Sequence, residues 1–89
     1  SATAQAILGQ LYKQGRHGLT QSSTRAVQLY TLAAEQGHSL AQYAFGYMYA
    51  NGNGIETSYS KARELWTKAA AQGDENAINA LKKLDELGV

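Results

Sequence analysis

Apolar residues recur along the chain at the spacing of amphipathic helices. Between Lys61 and Gly73 they fall at positions 62, 65, 66, 69 and 70, a pattern that places them on one face of a helix. Three of the five are alanines and Trp66 is the one aromatic member, so we expect another helix to pack closely against this face. Gly73 is typical of a residue that ends a helix, because glycine adopts the left-handed conformation without a steric penalty.

The pattern occurs twice, so the sequence contains an internal repeat. The segment Arg25–Gly37 has the same order of polar, apolar and glycine positions, 36 residues upstream of Lys61–Gly73. A second apolar helical pattern precedes each segment, and its markers match at an offset of 37: Gly9, Tyr12 and Gly15 with Gly46, Tyr49 and Gly52. Two helices per unit at this period predict a helical solenoid, in which each helix pair is stabilised by stacking on the next.

Caps divide the chain into five predicted helices. The first is predicted over about residues 2–14, and the next three are predicted to end at or near Gly37, Gly52 and Gly73. A serine hydroxyl can accept a hydrogen bond from the first unpaired amides of a helix. Serines are therefore the predicted N-caps: Ser22 or Ser23, Ser39 in a capping box with Gln42, and Ser58 or Ser60.

The last segment keeps the apolar stripe of the repeats but changes on its other side. At an offset of 36, Lys82 and Asp85 stand where the earlier helix has Gly46 and Tyr49. A glycine within a helix costs about 1 kcal/mol relative to alanine, so we expect one only where another chain segment must approach closely. We interpret the segment as a C-terminal capping helix with Leu84 and Leu87 buried and these polar residues in water: Lys82, Lys83, Asp85 and Glu86.

The predicted domain organisation follows from this alignment. One solenoid domain covers residues 1–89, with repeat 1 at about 4–40, repeat 2 at about 41–76 and the capping helix at about 77–87. A chain of this length can bury only a small core, so we expect modest stability. The chain begins with Ser1 rather than Met, which we interpret as a mature form or an excised fragment.

Composition and charge exclude several classes of function. The chain has no cysteine, which excludes disulfides, thiolate metal sites and a cysteine nucleophile. Its 8 basic and 7 acidic residues give a net charge of +1 without a basic run, so we do not expect nucleic acid as a partner. No apolar stretch approaches the roughly 18 residues of a membrane span, so we expect no membrane insertion. We expect a monomer.

Candidate residues for catalysis or metal binding are few. His17 and His38 each lie beside a glycine, without an acidic residue or histidine at i+3 or i+4 to form a metal pair. The glycine-rich segment Asn51–Gly54 lacks the lysine and hydroxyl residue of a phosphate-binding loop, so we interpret it as a turn. We therefore predict no catalytic residue, no metal site and no cofactor, and we expect that the protein is not an enzyme.

Two ordered groups of residues carry a family resemblance: Ala41-x3-Phe45-Gly46-x2-Tyr49-x2-Gly52-x-Gly54-Ile55, and Lys61-Ala62-x3-Trp66-x2-Ala69-Ala70-x-Gln72-Gly73. They resemble the Sel1-like repeat (SLR) family, a relative of the tetratricopeptide repeat, and the resemblance covers nearly the whole chain. The first unit departs from the pattern in its longer glycine turn, 15–18, and both units have serine where the family often has aspartate, at Ser22 and Ser58. The resemblance implies an all-α fold: a right-handed α-α superhelix, or α-solenoid, of two helix-turn-helix repeats plus the capping helix.

The resemblance also implies a function and a binding surface. Proteins of this kind act as adaptors or scaffolds, so we expect a protein or peptide as the partner, bound on the concave face formed by the first helix of each repeat. In Sel1-like repeats, which this chain resembles, tyrosines pack between helices. We therefore expect core positions for Tyr12, Tyr30 and Tyr49 together with Trp66. Tyr59 is expected to pack near the start of its helix.

Tyr43 and Tyr47 differ from the core tyrosines because they lie off the apolar stripe of their helix. They are four residues apart and therefore share a face, and exposed aromatic rings in a polar groove suit the recognition of a protein or peptide. The alternative for Tyr43 is packing on neighbouring helices. With their equivalents in the other helices, the candidate partner-binding residues are Ala6, Gln10, Lys13, Tyr43, Tyr47, Asn51, Asn79 and Lys83.

Three alternatives to a function as an adaptor remain. Some solenoids of the resembling kind work in bacterial envelopes, so a glycan or cell-wall polymer is a second candidate ligand for the same groove. Cysteine-rich relatives are associated with β-lactam binding or hydrolysis, so an enzymatic function is a third candidate. The absence of cysteine in this chain disfavours it. Finally, the absence of proline is compatible with a designed or trimmed scaffold that has no selected partner.

Overall fold

The computed structural model describes residues 2, 5, 6, 8–10 and 22–89, and all regular elements in this part of the chain are helices. The first helix, α1, contains the described residues 2, 5, 6 and 8–10. Four helices follow, with these bounds: α2, Ser23–Glu35; α3, Ser39–Asn51; α4, Tyr59–Ala71; and α5, Glu75–Leu87. Each packs against its neighbours in sequence, α2 on α3, α3 on α4 and α4 on α5. The predicted all-α solenoid is confirmed.

Side-chain caps begin three of the helices. The Ser22 hydroxyl accepts a hydrogen bond from the Arg25 amide at 3.1 Å, and the Ser58 hydroxyl accepts one from the Lys61 amide at 3.2 Å. These bonds select Ser22 and Ser58 from the two predicted pairs of candidate caps. The Asp74 carboxylate caps α5 in the same way, because it accepts a hydrogen bond from an amide of the first turn.

The predicted capping box at Ser39 was wrong. The N-cap of α3 is His38, whose side chain makes no capping hydrogen bond, and Ser39 is the first residue of the helix. The side-chain amide of Gln42 does not bond with the start of α3, because it is buried between helices. There it accepts a hydrogen bond from the Gln72 amide nitrogen at 2.9 Å.

A pair of glutamines joins the helices in each repeat. The Gln36 amide donates to the Gln5 side-chain oxygen at 2.7 Å, and the Gln72 amide donates to the Gln42 oxygen at 2.9 Å. The donors are 36 residues apart and the acceptors 37, the same two offsets that define the repeat. Each bond ties the end of the second helix of a unit to the start of the first.

The core consists of two clusters of mainly small side chains. In the first, Tyr30 is buried among alanines of α1, α2 and α3, with Met48. In the second, Trp66 is 5% exposed and packs with alanines of α4 and α5 and with Leu84. The predicted core positions of Tyr30 and Trp66 are confirmed, whereas Tyr12 lies outside the described residues. Alanine-rich faces let the helix axes approach closely, and each cluster is completed by one large aromatic ring.

Gly46 allows the indole of Trp66 to lie directly against α3. A Cβ atom at Gly46 would lie 2.6 Å from the Trp66 Nε1 atom and 2.8 Å from its Cδ1 atom. The same Cβ atom would lie 3.2 Å from the Ala62 carbonyl oxygen, so the backbone of α4 also approaches α3 closely at this point. The expected close approach at this mid-helix glycine is therefore confirmed.

Gly46→Ala is expected to lower the free energy of unfolding by about 1–2 kcal/mol, because overpacking outweighs the gain in helix propensity. Urea unfolding followed by circular dichroism measures the change. Gly9→Ala is the matched control from the first repeat, since a Cβ atom there meets its neighbours at 3.3 Å and should cost less. A Gly46→Ala protein as stable as the wild type would contradict the packing described above.

The last helix, α5, covers α4 with one face and presents the other to solvent. Ala77 and Leu84 are buried against α4, and the four residues predicted to face water do so: Lys82, Lys83, Asp85 and Glu86. The prediction for Leu87 was wrong, because its side chain is 67% exposed. Leu87 lines the open side of a groove, whereas Asp85 in the same turn faces α4 and pairs with Arg63. In the described part of the chain, no helix is both long and apolar enough to cross a membrane.

Candidate functional site

A cavity of about 420 Å³ lies between α3 and α5, with α4 behind it. We call it the A-face groove. Helix α3 contributes Tyr43, Tyr47, Ala50 and Asn51, and α4 contributes Tyr59 and Trp66. Helix α5 completes the groove with Asn76, Asn79, Ala80, Lys83, Leu84 and Leu87.

Helical periodicity explains why these side chains converge. On α3, Tyr43, Tyr47 and Asn51 follow one another at four-residue intervals and therefore form one row along the helix. On α5, Asn76, Asn79 and Lys83 follow at intervals of three and four, which also places them on one face. The two rows line opposite sides of the groove, so its sides carry amides, phenols and one ammonium group.

Three aromatic rings form the floor and one side of the groove. The Tyr43 ring stacks on the Trp66 indole with 6.2 Å between centroids and 27° between planes. The Tyr47 ring continues the cluster, with its centroid 6.2 Å from that of Tyr43. The Trp66 Nε1–H group donates to the Tyr43 carbonyl oxygen at 2.9 Å. The floor is therefore held by both packing and a hydrogen bond to the backbone of α3.

The two groove tyrosines differ in exposure. Tyr47 is 41% exposed, so a large part of its ring is accessible to a ligand, whereas Tyr43 is half-buried against Trp66. Burial raises the pKa of the Tyr43 phenol, and the nearby Tyr47 phenol and Asp74 carboxylate raise it further. The Tyr43 phenol therefore stays protonated at neutral pH and acts as a neutral hydrogen-bonding group.

A second cavity of about 400 Å³ adjoins the A-face groove and shares three of its side chains: Tyr43, Tyr47 and Asn76. We call it the adjoining cavity. Its remaining lining residues are Gln10, Tyr30, Leu40, Ala44 and Asp74. Tyr47 thus stands between two hollows that together extend from α1 to the end of α5.

The structure places most of the predicted binding residues along this surface. Five of them line the A-face groove, and Gln10 lines the adjoining cavity. The five are Tyr43, Tyr47, Asn51, Asn79 and Lys83. Ala6 differs from the expectation, because it is 1% exposed and belongs to the first core cluster. A small side chain at this position packs inwards and cannot contact a ligand. Lys13 lies outside the described residues, and a role in binding stays a prediction for Lys13 and for the six residues that line the two cavities.

Several lining residues were not predicted from the sequence. Asn76 could have been found, because it lies on the same helical face as Asn79 and Lys83. Tyr59 and Leu87 could not, since their positions depend on how the ends of α4 and α5 pack around the groove. Tyr59 was expected to pack at the start of its helix, and it is 45% exposed there.

Within the described ranges, no group of three or more histidine, aspartate and glutamate side chains is arranged to hold a metal ion. His38 lies at the start of α3, and its Nδ1 atom is buried without a protein hydrogen-bond partner. It lies apart from both cavities. His17 lies outside the described residues. The groove therefore offers hydrogen bonds, aromatic surface and one positive charge as its chemistry.

Comparison with known proteins gives matches in sequence and in structure. The Sel1 repeat family matches residues 2–38 and 39–74. Chitin synthase regulatory factor 3 of Schizosaccharomyces pombe is 34% identical over 64 residues, which cover 72% of this chain and 7% of that protein. DAP3-binding cell death enhancer 1 of Rattus norvegicus is 33% identical over 81 residues, which cover 91% of this chain and 15% of that protein.

A solved structure shares the whole fold. It is a protective antigen present in uropathogenic Escherichia coli strains and displays an SLR fold. The TM-score is 0.96 at 35% sequence identity, and the match covers 100% of this chain and 19% of that one. The chain thus spans less than a quarter of the length of each of these three relatives.

Proposed function

The chain belongs to the Sel1 repeat family, and on this premise we propose that it is a non-enzymatic interaction module that binds an extended segment of a partner protein in the A-face groove. Sel1 repeat proteins typically mediate protein–protein interactions, and one relative is named as a regulatory factor and another for binding a protein. Since this chain spans a small share of those proteins, neither named partner is transferred to it.

The observation that carries the proposal is the exposed ring of Tyr47 above a rigid aromatic floor. Binding energy at protein interfaces concentrates in a few large aromatic or arginine side chains near the centre of the contact. Tyr47 lies at such a centre, because it borders both the A-face groove and the adjoining cavity. Its neighbour Tyr43 is fixed by stacking on Trp66, so the floor loses little side-chain entropy when a ligand binds.

The amides beside the aromatic rings suit an extended peptide backbone. Asn51, Asn76 and Asn79 line the A-face groove, and each carboxamide can donate and accept hydrogen bonds. An extended segment leaves its own amides and carbonyls unpaired, so side-chain amides along both sides of a groove can satisfy them. Apolar side chains of the segment would contact the rings and the aliphatic residues Ala80, Leu84 and Leu87.

Tyr47→Ala is expected to weaken partner binding by about 2 kcal/mol, about 30-fold in Kd, because it removes the exposed anchor. The expected loss of folding stability is below about 1 kcal/mol, since a large part of the ring already contacts water. Capture from cell extract with wild-type and Tyr47→Ala proteins, both shown to be folded by circular dichroism, identifies the partner. Titration with the purified partner then measures the change in Kd.

The matched control is Leu32→Ala, which removes a side chain that is 48% exposed on α2 and lines neither cavity. It should leave the Kd unchanged. Equal effects of the two substitutions would contradict binding in the groove. Competition by soluble saccharides, but not by a peptide of the partner, would favour the glycan alternative, for which tyrosine rings and asparagine amides are also suitable surfaces.

A further inference from the structure

The charge of the A-face groove is confined to one residue. Among the described residues that line it, Lys83 is the only charged one. The salt bridge of α5 joins Asp85 to Arg63 of α4, and none joins the Lys83 ammonium to a carboxylate in the described part of the chain. A groove with one unpaired cation attracts a ligand that brings an anion.

The surroundings of Lys83 strengthen its attraction for an anionic group of the ligand. Leu84 and Leu87 flank it on α5, and the indole, the tyrosine rings and two alanines form the rest of the apolar lining. A peptide that covers these side chains displaces water from around the ammonium group. An ion pair formed there is screened less than one on an open surface, because the local dielectric constant falls.

Asp74 gives the opposite charge to the other end of the binding surface. It lines the adjoining cavity, beyond Tyr47, and its field is one of the causes that raise the pKa of Tyr43. Asp74, the N-cap of α5, and Lys83 are nine residues apart, about 13 Å at 1.5 Å per residue. An extended peptide covers that distance in about four residues. A carboxylate on the ligand is therefore attracted at one end and repelled about four residues away.

We propose that the A-face groove selects an extended peptide segment with a bulky apolar side chain for the Tyr47 region and an aspartate or glutamate side chain that pairs with Lys83. The peptide's acidic residue therefore has one preferred position relative to the apolar anchor, and a basic residue is preferred towards Asp74. This inference rests on the proposed function, since it assumes that the groove binds a peptide at all.

The test uses acetylated and amidated nonapeptides with a central tryptophan, phenylalanine or leucine in a background of glycine and serine. A single aspartate or lysine is placed at each other position in turn, and fluorescence anisotropy with the whole chain measures Kd. We expect aspartate to bind about threefold to tenfold more tightly than lysine on one side of the anchor. The order should reverse on the other side, and high salt should reduce both preferences.

Charge reversal at one residue supplies the decisive comparison. Lys83→Glu is expected to invert the preference at the acidic position, so that the lysine peptide binds more tightly there. Lys82→Glu is the matched control, because Lys82 is the preceding exposed residue of α5 and lines neither cavity. It changes the net charge of the protein by the same amount and should leave the order of the peptides unchanged.

The remaining outcomes distinguish failure of the role of Lys83 from failure of the proposed function. Peptide binding that is lost in Tyr47→Ala but shows no preference between aspartate and lysine supports the proposed function and overturns the role of Lys83. Equal effects of Lys82→Glu and Lys83→Glu also overturn it. A preference that appears only when a free terminal carboxylate replaces the amide overturns the assignment to a side chain. Failure of every peptide to bind overturns both proposals.

Discussion

Trp66→Ala is expected to lower the free energy of unfolding by about 3–5 kcal/mol, the cost of removing a large buried aromatic side chain. The indole is the largest side chain of the second core cluster, and it joins α3, α4 and α5. Its loss leaves a cavity lined mainly by alanines, which are too small to fill it. Domains have a total stability of about 5–15 kcal/mol. A chain this short is expected at the low end of that range, so much of the protein is expected to unfold at 37 °C.

Thermal and urea unfolding followed by circular dichroism measure this loss. Trp66→Phe serves as a control that keeps most of the ring but removes the Nε1–H group that donates to the Tyr43 carbonyl oxygen. It is expected to cost about 1–2 kcal/mol, because the ring becomes smaller and the partly buried carbonyl loses one of its hydrogen bonds. If Tyr47→Ala unfolded the chain and Trp66→Ala did not, the assignment of core and groove faces would be inverted.

Deletion of residues 74–89 is expected to abolish cooperative unfolding or to cause association of the shortened chains. Without α5, the packing surface of Trp66 and Ala69 is exposed to water, and the buried contacts of Ala77 and Leu84 are lost. A Leu84→Ala substitution alone is expected to cost about 2–5 kcal/mol. Neighbouring repeats of a solenoid stabilise each other only across such interfaces, so removal of a terminal helix leaves an apolar face unpaired.

Size-exclusion chromatography and urea unfolding compare the shortened and whole chains. Leu87→Ala in the whole chain is the control for α5, since that side chain is already 67% exposed and its loss should hardly change stability. A shortened chain that is monomeric and as stable as the whole one would contradict the interpretation of α5 as a capping helix.

Helix positions and their caps were largely predictable because they depend on local chemistry. The glycines that end α3 and follow α4, Gly52 and Gly73, have φ values of 68° and 87°, a conformation that favours glycine over other residues. Ser22 and Ser58 cap their helices through amides only three residues away. Such contacts require no knowledge of the rest of the fold, so the sequence pattern predicts them.

The predictions that were wrong concern side chains whose position depends on contacts with distant parts of the chain. Gln42 has the spacing of a capping box, but its amide bonds with Gln72, 30 residues away. Leu87 continues the apolar stripe of α5, but its side chain is exposed and lines the open groove. Ala6 aligns with Tyr43 at the offset of 37. The methyl group of Ala6 lies in the core, whereas the phenol ring of Tyr43 lines the groove.

By itself, the sequence determined the helices, the repeat and the residues of its core, because the hydrophobic effect acts on any apolar stripe at helical spacing. It also placed Tyr47, Asn51, Asn79 and Lys83 on faces that could meet. Only the tertiary structure decided that α3 and α5 bring these rows together over the Trp66 ring. That arrangement depends on the distances between packed helices, which are set by Gly46 and the buried alanines. The spacing of apolar residues along the chain does not reveal those distances.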